Sequence, residues 1–195
     1  SSGGHVYATL AAVDGAGNEV ELFSDGVFFD DSPPVVPDAE HAIVETSVNS
    51  TAAAGRHALD VDILPHTEFR VSWLAFADAE TGIDRYEVQV EDVTTPSAEV
   101  VLEWASVGNA TTFAHSALPL VHTHTYAVRV RGFNGAGLFS EITSDGVAID
   151  LTPPQRGVVS DGGLHSDGDV SITAVVGAVS AHWEPFPEPD SSIDH

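Results

Sequence analysis

The chain has 195 residues, with 30 acidic side chains against six arginines, no lysine, no cysteine, no methionine and a net charge of −24. Its 43% hydrophobic content suits a packed core, and its length covers one large domain or roughly one and a half of about 100–150 residues. Such acidity repels phosphate backbones and anionic leaflets, and no apolar run approaches the roughly 18 residues of a membrane-spanning helix. Without cysteine there is no disulfide, thiolate nucleophile or Cys-ligated metal.

In chain order, Ser1-Ser2-Gly3-Gly4 reads as a turn feeding a strand, since no cationic and apolar stretch precedes it. The missing methionine leads us to expect a processed product or a segment of a longer chain. Gly15-Ala16-Gly17, Asp25-Gly26 and Pro33-Pro34 punctuate the opening third as turns. From Val35 to Thr67 lies a long irregular stretch containing Ala52-Ala53-Ala54-Gly55, read as an insertion or an elongated loop. Then the apolar pattern takes period two. Phe69, Val71 and Trp73 alternate with Arg70 and Ser72, and Tyr86, Val88 and Val90 with Glu87 and Gln89. Tyr126, Val128 and Val130 alternate with Arg129 and Arg131. Each run predicts a strand with one buried and one wet face. Val100 to Trp104, Thr111 to Ala114 and Ile142 to Ile149 predict weaker strands, and no stretch has helical periodicity with caps.

Internal repetition organises these elements. Val6 to Pro34 and Thr125 to Pro154 share Gly-Ala-Gly, Ser-Asp-Gly-Val and Pro-Pro at matching places, and pairing Tyr7 with Tyr126 requires one residue of slippage. Trp73 to Asp84 aligns without gaps on Trp183 to Asp194. The order Pro-Pro, Trp, Tyr, Gly-Ala-Gly, Ser-Asp-Gly-Val fixes the phase. Residues 1–32 are expected to be the closing strands of one module, 33–152 a complete module and 153–195 the early strands of a third. Cut modules cannot bury a core alone, so the natural polypeptide is expected to continue on both sides. The fold expected is all-β, with tandem antiparallel Greek-key β-sandwiches.

The run from Leu118-Pro119 through Tyr126-Ala127-Val128-Arg129-Val130 to Asn134-Gly135-Ala136-Gly137 resembles the F strand and F–G turn of fibronectin type III domains. Trp73 and Tyr86 resemble that family's B-strand tryptophan and C-strand tyrosine. The resemblance implies that Tyr126 is a tyrosine-corner residue, bonding backbone a few residues upstream. Ser144-Asp145-Gly146-Val147 with Asp150 and Thr152-Pro153-Pro154 resembles linkers in tandem sandwich repeats of large eukaryotic surface proteins. The turn Asp14-Gly15-Ala16-Gly17-Asn18 is similar to one in immunoglobulin-like bacterial adhesin repeats.

The repeated aromatics Trp73, Tyr86, Tyr126 and Trp183 read as core, whereas Trp104 has no repeat partner. His122 and His124 alternate near His115, but two histidines fall short of the three or four convergent ligands zinc takes. They read as a solvated face. No nucleophile elbow, phosphate loop or metalloprotease motif occurs, so no catalytic residue or cofactor-binding set is expected. Calcium is the metal that fits best. It takes six to eight oxygens, and Asp25, Asp30 and Asp31 lie at the first module boundary, Asp145 and Asp150 at the second, and Asp161, Asp167 and Asp169 in the third module's opening loop. The competing reading is that aspartates cap turns through their own side chains. Asn49-Ser50-Thr51 and Asn109-Ala110-Thr111 are glycosylation sequons.

The function expected is non-catalytic: a structural or adhesive repeat segment of a secreted or surface-anchored protein, such as a ciliary or cell-wall coat, acting as spacer or stacked filament unit. Its partners would be neighbouring modules, copies of itself and other surface proteins, with neither nucleic acid nor membrane insertion. Two alternatives are a glycan- or protein-binding adhesion module, calcium-dependent or not, and an ancillary domain of a secreted hydrolase.

Overall fold

The computed structural model describes residues 4–38, 41–46, 60–65, 67–161 and 180–190. Every regular element among them is a β-strand. A first group comprises β1 (Gly4–Val6), β2 (Thr9–Val13), β3 (Glu19–Phe23) and β4 (Val27–Phe29). The central group runs through β5 (Ile43–Glu45), β6 (Ile63–Leu64), β7 (Phe69–Trp73), β8 (Ile83–Asp92), β9 (Glu99–Gly108), β10 (Thr112–His115), β11 (Thr125–Asn134), β12 (Phe139–Thr143) and β13 (Val147–Ile149). Last come β14 (Val159–Asp161) and β15 (Ala181–Trp183).

The central strands form two sheets. One has the order β10-β7-β5; the other runs β6-β13-β11-β8-β9, with β12 also on β11. All pairs are antiparallel except β13 with β6. Val71 and Trp73 from the smaller sheet and Tyr86, Val88, Val90, Tyr126, Val128, Val130, Val147 and Ile149 from the larger share one buried cluster. This is the period-two pattern realised, and two sheets enclosing a single core are consistent with a β-sandwich. Trp73 and Phe76 meet Tyr86 edge-on at centroid distances of 5.6 and 5.4 Å. The Tyr86 hydroxyl accepts from Phe76 N–H, and the Tyr126 hydroxyl accepts from Val121 N–H at 2.8 Å, five residues upstream.

The long stretch after Val35 is used twice. Its first part gives β5, its last gives β6 on the opposite sheet, and Val61 N–H returns to the Glu45 carbonyl. The Ala52–Gly55 run and Asn49 lie outside the described residues, as do Asp167 and Asp169.

Strand pairing recurs with constant displacement. Thr9 pairs Phe23 and Val13 pairs Glu19; 120 residues on, Arg129 pairs Thr143 and Phe133 pairs Phe139. Val6 pairs Val27 as Tyr126 pairs Val147. The register therefore sets Tyr126 opposite Val6, not Tyr7, and the one-residue slip expected from the sequence is absent. Tyr7 and Tyr126 share a side chain but not a place in the strand, and the facing of the strand decides the equivalence. A one-residue shift would turn every side chain of β1 to the other face.

Burial differs between copies. Leu10 is 65% exposed where Val130 is fully buried, and Trp183 is 65% exposed where Trp73 is 2% exposed. No residue of β1–β4 belongs to the central core cluster.

Candidate functional site

Between the first and central groups, the Asp30 carboxylate begins as a local turn. Its Oδ1 accepts from Ser32 N–H at 3.1 Å, an Asx-turn. Its Oδ2 accepts from the Thr81 hydroxyl at 2.6 Å and from Asn134 Nδ2 at 2.9 Å. Asn134 Nδ2 also donates to the Ser32 carbonyl and to Asp78 Oδ2, at 2.9 and 3.1 Å. Meanwhile Asn134 Oδ1 caps its own hairpin by accepting from Ala136 and Leu138 N–H. One buried amide thus fastens the β11–β12 turn to the segment before Pro33. Val35 and Ala77 complete the contact with a two-way backbone bridge. Burial works against an ionised Asp78, but the Thr81 N–H, the Asn134 amide and the Gly82 N–H hold its carboxyl below the usual range.

A related arrangement stands at the other end, without the amide lock among the described residues. Asp150 Oδ1 accepts from Thr152 N–H and its hydroxyl, and that hydroxyl lies 3.1 Å from Asp190 Oδ2. Gln155 N–H donates to the Pro187 carbonyl as Val35 N–H does to Ala77. His122 stands between the two acids, 3.7 Å from Asp150 and 3.4 Å from Asp190, and accepts from Leu151 N–H. Asp30, Asp78 and Glu80 form one convergent acidic group, and His122, Asp150 and Asp190 another.

A third group lies beside the central core. Ser144 sits where the edge of the larger sheet breaks between β12 and β13. Its Oγ accepts from Val128 N–H at 2.9 Å and donates to Glu45 Oε1. Ser24 accepts from Ala8 N–H in the equivalent place. Gly26 and Gly146 both take φ near +90° to +100° (88° and 102°), the left-handed region that a side chain would strain. Ser-Asp-Gly-Val is thus a strand-break motif. Glu45 is 1% exposed, and burial pushes its carboxyl up to about 7, with Asp60 and Asp145 adding repulsion against the pull of Ser144.

Of the residues expected to hold a cation, Asp30 and Asp150 enter the two terminal groups and Asp145 the central one. Asp25, Asp31 and Asp161 belong to no convergent group among the described residues. Glu45, Asp60, Asp78, Glu80 and Asp190 are not among the cation candidates read from the sequence, and His122, read there as part of a solvated face, stands beside Asp150 and Asp190. For Asp78 and Glu80 a signal existed: the repeat around Trp183 places Glu188 and Asp190 opposite them. Asp14, Asp30, Asp92 and Asp150 each accept from the N–H two residues on; of the Asp-Gly pairs that the turn-capping reading addressed, this covers Asp14-Gly15. The paired histidines part company. His124 bonds Asp92 at 2.6 Å while His122 faces the distal acids, because Thr123 between them has φ 67°. Trp104 is half-buried on the outer face of the larger sheet, with Arg131 3.8 Å above its ring. Arg129 and Arg131 share Glu141 there. Asn109 is exposed in the turn after β9.

No family model matches the chain, and a search of curated proteins returns no match.

Proposed function

We propose that the chain is a non-catalytic structural segment of a secreted or surface-anchored protein, in which fibronectin type III-like Greek-key sandwich modules follow one another in tandem as spacers or stacked units of a filament or coat. In this reading residues 33–152 are one complete module, and residues 1–32 and 153–195 belong to its neighbours. The observation that carries it is a recurring contact before each Pro-Pro pair: Asp30 accepts from Thr81 and Asn134 of the next strand group, and at the equivalent place the Thr152 hydroxyl, beside Asp150, bonds Asp190. Proline fixes φ and restricts its predecessor, so the lock acts on a linker with few conformations. A chain of modules joined this way holds a set pitch.

The adhesion-module alternative would be favoured by an open aromatic platform around Trp104. Arg131 covers that ring instead. Small-angle scattering tests the spacer reading. The chain should fit a single rigid arrangement of its strand groups, and Asn134→Asp, which sets a third carboxylate against Asp30 and Asp78, should convert it to a hinged ensemble. A wild-type profile that already needs a freely hinged ensemble rejects a fixed pitch.

A further inference from the structure

The central acidic group has a property that the two terminal groups lack. The ligand oxygens of Glu45, Asp60 and Asp145 lie within 4.8 Å of one another. One carboxylate oxygen of Glu45 is committed to Ser144. The other, Oε2, is buried and has no hydrogen-bond partner. A buried carboxylate oxygen with nothing to accept from is costly, and native proteins almost always satisfy such atoms with a proton donor, a water or an ion. Two further acids stand where a donor would be expected. Asp60 is engaged by His41 Nδ1 at 2.9 Å, and Asp145 is exposed. Asp60, Asp145 and Ser144 line an open cleft of about 450 Å³ together with His41 and Thr143. A small ion can therefore reach Asp60 and Asp145 from solvent, and Glu45, which does not itself line the cleft, offers a carboxylate oxygen within 4.8 Å of theirs.

We infer that Glu45, Asp60 and Asp145 bind a hard divalent cation, calcium by its donor chemistry. Three carboxylates, one able to use its free oxygen and two able to bind through one or both, match an ion that takes six to eight oxygens at flexible geometry. The open side of the cleft leaves room for the water ligands that complete the shell. Magnesium, with its strict octahedron, fits such uneven donors poorly. Strand register adds a separate argument. Glu45 pairs Val71 across β5–β7, and Asp161 pairs Ala181 across β14–β15, with Ile43–Trp73 and Val159–Trp183 as the matching pairs two residues away. An acid thus stands again at the Glu45 place in the next strand group. Asp25 stands at the Asp145 place in the preceding one, within the shared Ser-Asp-Gly-Val. Single acids of the site thus recur in the neighbouring strand groups, and the site itself is separate from the junction locks.

Calcium chloride titrated into the whole chain by calorimetry, at fixed pH in about 0.15 M sodium chloride, tests the assignment. The expected result is one saturable event with a dissociation constant of about 10⁻⁴ to 10⁻³ M, the range of extracellular modules. Glu45→Gln keeps an acceptor for Ser144 and should weaken binding about tenfold or more, as should Asp145→Asn at an exposed position that the core does not need. The junction variants Asp30→Asn and Asp190→Asn should bind like the wild type. Non-saturating binding spread over the acidic surface, unchanged affinity in both Glu45→Gln and Asp145→Asn, or loss confined to the junction variants would overturn it. If Glu45→Gln unfolds by circular dichroism, the Asp145→Asn result decides alone.

Discussion

At the scale of single residues, two buried positions make sharp demands on what occupies them. Glu45 is the first. Its carboxyl is raised from 4.5 to about 7, chiefly by burial. A folded-state value above the unfolded one means that the native protein binds the extra proton. The resulting stability is fully present below about pH 4.5 and is lost as pH rises through about 7. In calcium-free buffer, the unfolding free energy of the wild type relative to Glu45→Gln should therefore fall by on the order of 3 kcal/mol across that window. Denaturant melts at several pH values would read it, and a flat difference would refute the buried acid. Asp78, Asp92 and Glu141, held low by their donors, act in the opposite sense: their contribution is present above the unfolded carboxylate values and lost as pH falls through the lowered ones. Gly132 is the second. A Cβ there would stand 2.4 Å from Phe76 Cδ2 and 3.0 Å from Tyr86 Cε1, both rings packed in the core. Gly132→Ala should cost about 1–3 kcal/mol by chemical denaturation, although the equivalent position in the first strand group is Ala12, where the face is open.

At the scale of elements, the hairpin and the junction share one side chain, and a substitution can separate them. Asp14 caps the β2–β3 turn through Oδ1, as Asn134 caps the β11–β12 turn. Asn134→Asp should keep that cap, since a carboxylate accepts equally well. What it loses is the donor to Asp30, Ser32 and Asp78. Hydrogen exchange should quicken at Val35 and Ala77, whose amides close the junction bridge, while the β11–β12 amides keep their protection. Faster exchange in the hairpin itself would show that cap and lock cannot be divided. This division also marks what the sequence could tell. The strands around Trp73, Tyr86 and Tyr126 were legible because each alternates over a half-buried sheet, a local pattern. Repeated Gly-Ala-Gly and Ser-Asp-Gly-Val announced equivalent turns. Their purpose stayed hidden, because Ser144 works through Glu45 and Asn134 through Asp30, each far away in sequence. Glu45 gave no warning at all: a buried acid in an Ile-Val-Glu strand reads like any edge residue until both neighbouring sheets are in place.

At the scale of the whole molecule, the repeat places nearly identical elements in different states of burial, and this makes the equivalence itself testable. Leu10 and Val130 occupy the same register in their hairpins, since Leu10 pairs Leu22 as Val130 pairs Ile142. Yet the first is exposed and the second is fully enclosed by the facing sheet. If packing against that sheet is what stabilises a strand group, truncations at equivalent positions should differ. Val130→Ala should cost about 2–4 kcal/mol, through lost transfer energy and the void left behind. Leu10→Ala, though it removes more carbon, should stay within about 0.5 kcal/mol. Both are read from the main unfolding transition of one chain under one set of conditions. Salt extends the argument. With 30 acids over six arginines, self-repulsion acts on both variants alike. Raising sodium chloride from about 0.01 to 1 M shortens the screening length from about 30 to 3 Å. It should lift the two midpoints together and leave their difference unchanged, because the difference arises in a dry core and not in the charged surface. A gap that closes with salt would instead place the stability of the central strands in electrostatics, against the core packing derived from the alternating pattern.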